Sequence, residues 1–205
     1  MNQPNFELLF PVPVMFNSMD RDFTQAELDY LNSHSDKTYQ NQGNTTSLNN
    51  YILNEPEMKD LHDFVQSQVQ LYMDKVYKPK YPVKPYITQS WLNWTKTGEY
   101  HHTHEHPNSF ISGVLYINAD AKEDKIKFHA KGYQQINLET DQYDIFNSKS
   151  WWFNVKTGGI VMFPSSLTHN VEAVTAGETR ISLAFNTFLK GTIGDNRMLT
   201  ELRND

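Results

Sequence analysis

The chain contains no cysteine, which excludes disulfide bonds, zinc sites built on thiolates, iron–sulfur clusters and cysteine nucleophiles. It also lacks a basic surplus, because 18 Lys and Arg against 24 Asp and Glu give a net charge of −6. A protein that binds the backbone of a nucleic-acid duplex is therefore not expected. No apolar run approaches the roughly 20 residues of a membrane span. The run at 6–10 is short, is followed by two prolines and has no basic leader, so we expect no signal peptide and a cytoplasmic protein without a membrane partner.

The 205 residues are 38% hydrophobic and 13% aromatic, which is typical of a globular protein. We predict a single domain over 1–205, with a helical part at about 1–80 and a β core at about 85–190. A capping box at Thr24 and Glu27 predicts a first helix, and the polar stretch 33–50 predicts a loop. Asn54 and Glu57, with Pro56 between them, predict the start of a longer helix. Its apolar stripe is Met58, Leu61, Val65, Val69, Tyr72 and Val76.

After Gln89 the apolar residues alternate with a period of two, which is typical of β-strands. The predicted strands are 89–95, 109–118, 125–129, 133–138, 150–155, 159–163, 168–174 and 179–189. Eight short strands without helices between them predict a mainly β sandwich or barrel. The N-terminal helices are expected to cover one of its sheets.

Four of the eight histidines lie within six residues, at His101, His102, His104 and His106. Imidazole is a good ligand for divalent iron, copper, zinc and nickel. Alternate residues of an extended strand share a face, so His102, His104 and His106 are expected on one face and His101 on the other. Two ligands one residue apart are how a facial metal triad begins. The pattern predicts a metal site, although a histidine-rich loop can also be merely solvated.

Two residues further along the chain could complete such a site. His169 follows an apolar strand and precedes the next one, so it is a candidate third ligand, although a single histidine is often only structural. Arg180 shares one face of the strand 179–189 with small residues, opposite a face formed by Ile181, Leu183 and Phe185. An arginine in that position can project into a cavity and bind a carboxylate through two hydrogen bonds. A solvated face is the alternative interpretation.

These residues resemble a known family, the iron(II)- and 2-oxoglutarate-dependent oxygenases, and in particular a group of them from bacteria and phages. The similarity is carried by an H-x-H pair, a distant histidine, an arginine eleven residues later and several longer blocks. The blocks are Ser90–Asn93, His104–Ser109, Ser112–Asn118, Gly159–His169 and Arg180–Asn186, and Leu8–Pro13 also fits. The resemblance thus runs from about residue 8 to 188. It implies a double-stranded β-helix, or jelly roll, of eight strands, in agreement with the strand count.

The resemblance also implies roles for particular residues. His104, His106 and His169 match the metal-binding, catalytic positions, and Arg180 matches the residue that pairs with the far carboxylate of 2-oxoglutarate. Further expected cosubstrate contacts are Tyr116, Ser182 and Asn93; Tyr116 is otherwise a core tyrosine. One departure is that most of the superfamily has Asp or Glu where His106 stands. His102 and Glu105 therefore remain alternatives for the second ligand, although extended geometry points Glu105 away from His104.

The implied activity is oxidation of a C–H bond coupled to decarboxylation of 2-oxoglutarate, with iron(II) and 2-oxoglutarate as cofactors. We expect a hydroxylase of a small metabolite or of a protein side chain, located in the cytoplasm of a bacterial or phage-infected cell, with a homodimer possible. A different-class alternative is a non-redox, cupin-like metal-binding protein without cosubstrate. The segment 130–152, which includes the pair Trp151 and Trp152, is a candidate lid.

Overall fold

The computed structural model describes residues 3–132, 136 and 138–204. Its two α-helices precede most of the strands. They are α1 (Gln25–Asn32) and α2 (Lys59–Tyr72). The strands are β1 (Met15–Ser18), β2 (Thr38–Gln40), β3 (Thr45–Ser47), β4 (Val83–Thr95), β5 (His101–His104), β6 (Ile111–Asn118), β7 (Lys125–His129), β8 (Ser150–Asn154), β9 (Gly159–Pro164), β10 (His169–Val171), β11 (Arg180–Ile193) and β12 (Leu202–Asn204).

The strands form two antiparallel sheets. The larger has the order β1-β9-β6-β11-β4-β3-β2, with β12 paired to β11, and the smaller has the order β5-β10-β7-β8. Several neighbours, such as β1 and β9 or β5 and β10, come from distant parts of the chain, as in a jelly roll. The predicted fold, a mainly β double-stranded helix with one sheet covered by helices, is confirmed.

Alternation along the strands of the larger sheet sorts its side chains into two cores. On β11, Leu183 and Phe185 pack toward the helices, in a core that also contains the stripe of α2 from Leu61 to Tyr72. A smaller core fills the space between the sheets and includes Tyr116, Ile126, Phe128, Val161 and Phe163. The space between the sheets also receives the polar side chains of the candidate site.

The predicted capping box of α1 is confirmed, because Thr24 Oγ1 accepts from Glu27 N and the Glu27 carboxylate accepts from Thr24 N. The predicted start of the longer helix at Asn54 is wrong. Residues 52–54 and 56–58 form two 3₁₀ turns instead, and α2 begins at Lys59 without a side-chain cap. Pro56 opens the second turn, where its missing N–H costs nothing.

The predicted loop at 33–50 is also wrong, since it contains the hairpin β2–β3. Thr45 and Thr46 pair with Trp94 and Asn93 of β4, so the hairpin extends the larger sheet. Short polar strands carry no apolar alternation, which is why composition indicated a loop. The other predicted strands correspond to β4 and β6–β11 with shifted ends, except for 133–138, which falls largely outside the described residues. No helix within the described residues is long and apolar enough to cross a membrane.

Candidate metal centre and cosubstrate pocket

The histidine-rich segment is a strand with one irregularity. In the pairing of β5 with β10, His104 faces His169 and His101 faces Val171, so the four residues 101–104 lie opposite the three residues 169–171. One residue more on one strand is a β-bulge, which breaks the alternation of faces. The bulge turns His101 toward the interior, together with His104. The prediction that His101 lies on the opposite face is therefore wrong, because it assumed a regular strand.

Three of the predicted residues come together at the end of β5 and β10. The ligand nitrogens of His104, His106 and His169 all lie within 4.8 Å of one another, and Nε2 of His106 is 3.3 Å from Nε2 of His169. Two nitrogens bound to one divalent ion at about 2.1 Å, at octahedral or tetrahedral angles, lie about 3.0–3.4 Å apart. The observed spacing suits a shared metal ion.

Backbone carbonyls fix the orientation of two of these rings. His104 Nδ1 lies 2.8 Å from the carbonyl oxygen of His102, and His169 Nδ1 lies 2.9 Å from that of Leu167. Each Nδ1 must carry a hydrogen to make this bond, so Nε2 is left as the free electron-pair donor that a metal needs. The rings are therefore set in the tautomer suited to coordination before any ion arrives.

Burial keeps the cluster neutral. Removal from water, followed by the charge of His104, lowers the pKa of His106 to about 4 and that of His169 to about 2. Burial also lowers the pKa of His104 itself. All three imidazoles are thus unprotonated near neutral pH, which is the state that binds a metal.

Neither of the two alternative second ligands belongs to the group of His104, His106 and His169. The carboxylate of Glu105 accepts from Thr168 Oγ1 at 2.5 Å and pairs with Lys131 Nζ at 3.0 Å on the surface. His102 belongs to a second group of potential ligands with His101 and His104, and its Nδ1 is buried without a hydrogen-bond partner in the described part of the chain. His106 therefore has better geometry than Glu105 for sharing an ion with His104 and His169.

Arg180 lies in the same cavity as the three histidines and is almost completely buried. Its Nη2 donates to Thr95 Oγ1 at 3.3 Å, whereas Nε and Nη1 have no partner among the described residues. Burial lowers the pKa of the guanidinium, although the neighbouring Tyr116 and Asp124 act in the opposite direction. A buried cation with free donors is costly unless an anion meets it. The site therefore fits a carboxylate.

The remaining predicted contacts line the same cavity. Asn93, Tyr116 and Ser182 stand side by side on three paired strands, since Ser182 of β11 faces Asn93 of β4 and Tyr116 of β6. Asn93 Oδ1 accepts from Thr46 Oγ1 at 2.9 Å. Burial raises the pKa of the Tyr116 phenol well above its usual range, so it is protonated and able to donate a hydrogen bond.

Sequence reasoning missed three residues around the site. His101 lines the cavity, and Thr95 and Asn44 contact residues that line it. The Asn44 amide lies 3.4 Å from Thr95 Oγ1 and 3.3 Å from His101 Nδ1. Asn44 falls between β2 and β3, in the segment interpreted as a loop. Only the pairing of distant strands brings it here, and no local pattern indicates that pairing.

Comparison with known proteins gives the same picture. Residues 89–186 match the model of a family described as "Putative 2OG-Fe(II) oxygenase", and that region contains all seven predicted site residues. A comparison with curated proteins finds no match. The predicted resemblance to these oxygenases, and with it the prediction of iron(II) and 2-oxoglutarate as cofactors, is confirmed.

Several solved structures share the fold. An oxidoreductase of the 2OG-Fe(II) oxygenase family from Burkholderia pseudomallei superposes with a TM-score of 0.56 at 12% identity, covering 85% of this chain and 83% of that one. HygX from Streptomyces hygroscopicus, with nickel, 2-oxoglutarate and hygromycin B bound, gives 0.55 at 10% identity, covering 86% and 82%. The epimerase SnoN of nogalamycin biosynthesis gives 0.60 at 9% identity, covering 86% and 76%. At these identities the likeness concerns the fold alone.

Proposed function

We propose that this protein is an iron(II)- and 2-oxoglutarate-dependent oxygenase that hydroxylates a small metabolite or a protein side chain. The observation that carries the proposal is the buried guanidinium of Arg180, which lies in one cavity with three neutral histidines and has two donor atoms without a partner among the described residues. A plain metal-binding jelly roll has no use for that cation. A dicarboxylate that reaches from the metal to Arg180 uses both features.

In this proposal the histidines and Arg180 have separate roles. His104, His106 and His169 hold iron(II), which when bound supplies activation of O₂. Arg180 pairs with the far carboxylate of 2-oxoglutarate and so orients its oxo-acid end toward the histidines. In the overall reaction one oxygen atom of O₂ enters succinate, the other enters the substrate C–H bond, and CO₂ leaves.

The primary substrate is proposed to bind beside His169. The ring of Phe128 lies 6.1 Å from that of His169 and also forms part of the wall of a larger cavity of about 620 Å³. That cavity is lined mainly by apolar side chains, including Phe16, Trp151 and Phe153. A volume of this order suits a small molecule or a side chain, and apolar walls suit oxidation of an unactivated C–H bond.

The test is an anaerobic titration of the iron(II)-loaded protein with 2-oxoglutarate. Chelation of the metal by the oxo acid is expected to give a weak visible charge-transfer band that saturates with cosubstrate. The cupin-like alternative predicts metal binding without that band. Stoichiometric metal but no response to 2-oxoglutarate would therefore overturn the proposal.

A further inference from the structure

His101 lines the cavity in which the cosubstrate is proposed to bind, and it does not belong to the group of His104, His106 and His169. Its ring stacks on that of His104, with centroids 4.7 Å apart and planes 15° apart, and it lines the cavity that also contains Arg180. The cavity measures only about 40 Å³. In a space this small, one imidazole is a large part of the wall.

Two asparagines hold this ring by its edges. The amide of Asn44 lies 3.3 Å from Nδ1 of His101, and the amide of Asn41 lies 3.5 Å from Nε2. The neutral ring can accept from only one of these amides, so one nitrogen of His101 accepts and the other carries the ring hydrogen. His101 is not in the group of His104, His106 and His169, although it lies near His102 and His104. This separates it from His104 and His169, whose Nδ1 atoms bond to carbonyls and whose ligand nitrogens lie within 4.8 Å of one another and of that of His106.

Asn44 also links the His101 ring to Arg180 through Thr95. Its amide lies 3.4 Å from Thr95 Oγ1, the atom that accepts from Arg180 Nη2 at 3.3 Å. A single buried side chain thus sets the position of His101 relative to Arg180. Because the ring and the guanidinium line the same small cavity, the position of the ring determines how much room is left beside an acid that reaches from the histidines to Arg180.

We propose that His101, held by Asn44, is a specificity-determining wall of the cosubstrate pocket that limits the chain length of the 2-oxo acid it accepts. The inference rests on the proposed function, since it assumes that a 2-oxo acid binds between the histidines and Arg180. His101 acts by contact and shape, whereas Asn44 is a positioning residue that acts through His101.

The experiment compares 2-oxoglutarate with 2-oxoadipate, which is one methylene longer, in anaerobic titrations of the iron(II)-loaded protein. The wild type is expected to discriminate against the extra methylene by about 10- to 200-fold, the usual cost of such a group in a pocket of fixed size. His101→Ala should reduce that ratio at least about tenfold by opening the wall. His101→Phe retains a flat ring and should retain most of the discrimination.

Asn44→Ala should shift the ratio in the same direction as His101→Ala, because the ring is no longer held. Asn49→Ala is the matched control, since Asn49 bonds to Tyr51 and Tyr30 rather than to the site, and it should behave as wild type. An unchanged ratio in His101→Ala, or loss of metal in that variant, would overturn the inference while leaving the oxygenase proposal intact. Absence of 2-oxoglutarate binding in the wild type would instead overturn the proposed function itself.

Discussion

At the scale of single residues, Arg180 lowers the stability of the ligand-free fold but is proposed to be needed for cosubstrate binding. A buried cation whose Nε and Nη1 find no partner in the described part of the chain destabilises the ligand-free protein, and a bound anion would offset that cost. Removing the guanidinium should weaken 2-oxoglutarate binding by about 30- to 5,000-fold, equivalent to about 2–5 kcal/mol for a buried charge-assisted pair. Anaerobic titration of iron(II)-loaded Arg180→Met measures this, and Arg180→Lys should recover only part of the affinity because it lacks the planar fork.

Two controls separate this effect from damage to the fold. Arg180→Met should bind metal as the wild type does, because Arg180 is proposed to pair with the far carboxylate of the cosubstrate and not with the metal. Its thermal midpoint without ligand should be no lower than that of the wild type, since an unpaired buried charge has been removed. Equal affinity for 2-oxoglutarate in both proteins would contradict the role assigned to Arg180.

The histidines allow a second prediction at this scale. His104→Ala or His169→Ala should abolish stoichiometric iron(II) binding, since each removes one of three proposed ligands. Glu105→Gln should bind iron(II) normally, because that carboxylate is already engaged with Thr168 and Lys131 at the surface. Metal analysis after gel filtration, or calorimetric titration, reads out both results. Normal binding in His104→Ala together with loss in Glu105→Gln would show that a different set of ligands is used.

At the scale of secondary-structure elements, the sequence predicted those strands and faces in which apolar and polar residues alternate. The face of β11 that carries Arg180 and Ser182 followed from the alternating Ile181, Leu183 and Phe185, and the structure places it in the cavity. The bulge in β5 could not be predicted, because it arises from pairing with a strand more than sixty residues away. The polar hairpin β2–β3 was missed for the same reason, and with it Asn44.

The packing of β6 between β9 and β11 gives a prediction for the larger sheet. Gly113 faces Phe185 and Met162 on its two neighbours, and a Cβ there would lie 2.4 Å from Phe185 Cζ and 2.8 Å from the Val161 carbonyl oxygen. Phe185 is fully buried and has no room to yield. Gly113→Ala should therefore lower the free energy of unfolding by about 1–3 kcal/mol, the usual cost of overpacking. Urea denaturation measures it.

Gly177→Ala is the control for that substitution. A Cβ at Gly177 meets no atom within 4 Å, so the free energy of unfolding should change little. A Gly113→Ala protein as stable as the wild type would mean that β6 and β11 can separate more easily than their register indicates.

At the scale of the whole molecule, a neutral histidine cluster in the interior makes the stability of the metal-free protein depend on pH. In the folded chain the pKa is lowered to about 3 for His101, about 4 for His106 and about 2 for His169, each time first by burial and then by the charge of His104. In the unfolded chain these side chains titrate near 6.5. Below that value the unfolded state binds more protons than the folded state, so the free energy of unfolding falls as the pH falls.

Each such group contributes up to about 1.4 kcal/mol per pH unit between pH 6.5 and its folded pKa. Urea denaturation of the chelator-treated protein should therefore show a constant free energy of unfolding above about pH 7 and a steep loss between pH 6.5 and 5. The buried carboxylate of Glu27 titrates below that range. Burial raises its pKa, but the hydrogen bond and ion pair with Arg21 outweigh burial and lower the pKa below its ordinary value. His101→Phe removes one titrating ring and should reduce the slope by up to about 1.4 kcal/mol per pH unit. A slope unchanged from wild type would mean that His101 is solvated in the folded metal-free protein and does not form the wall of the pocket.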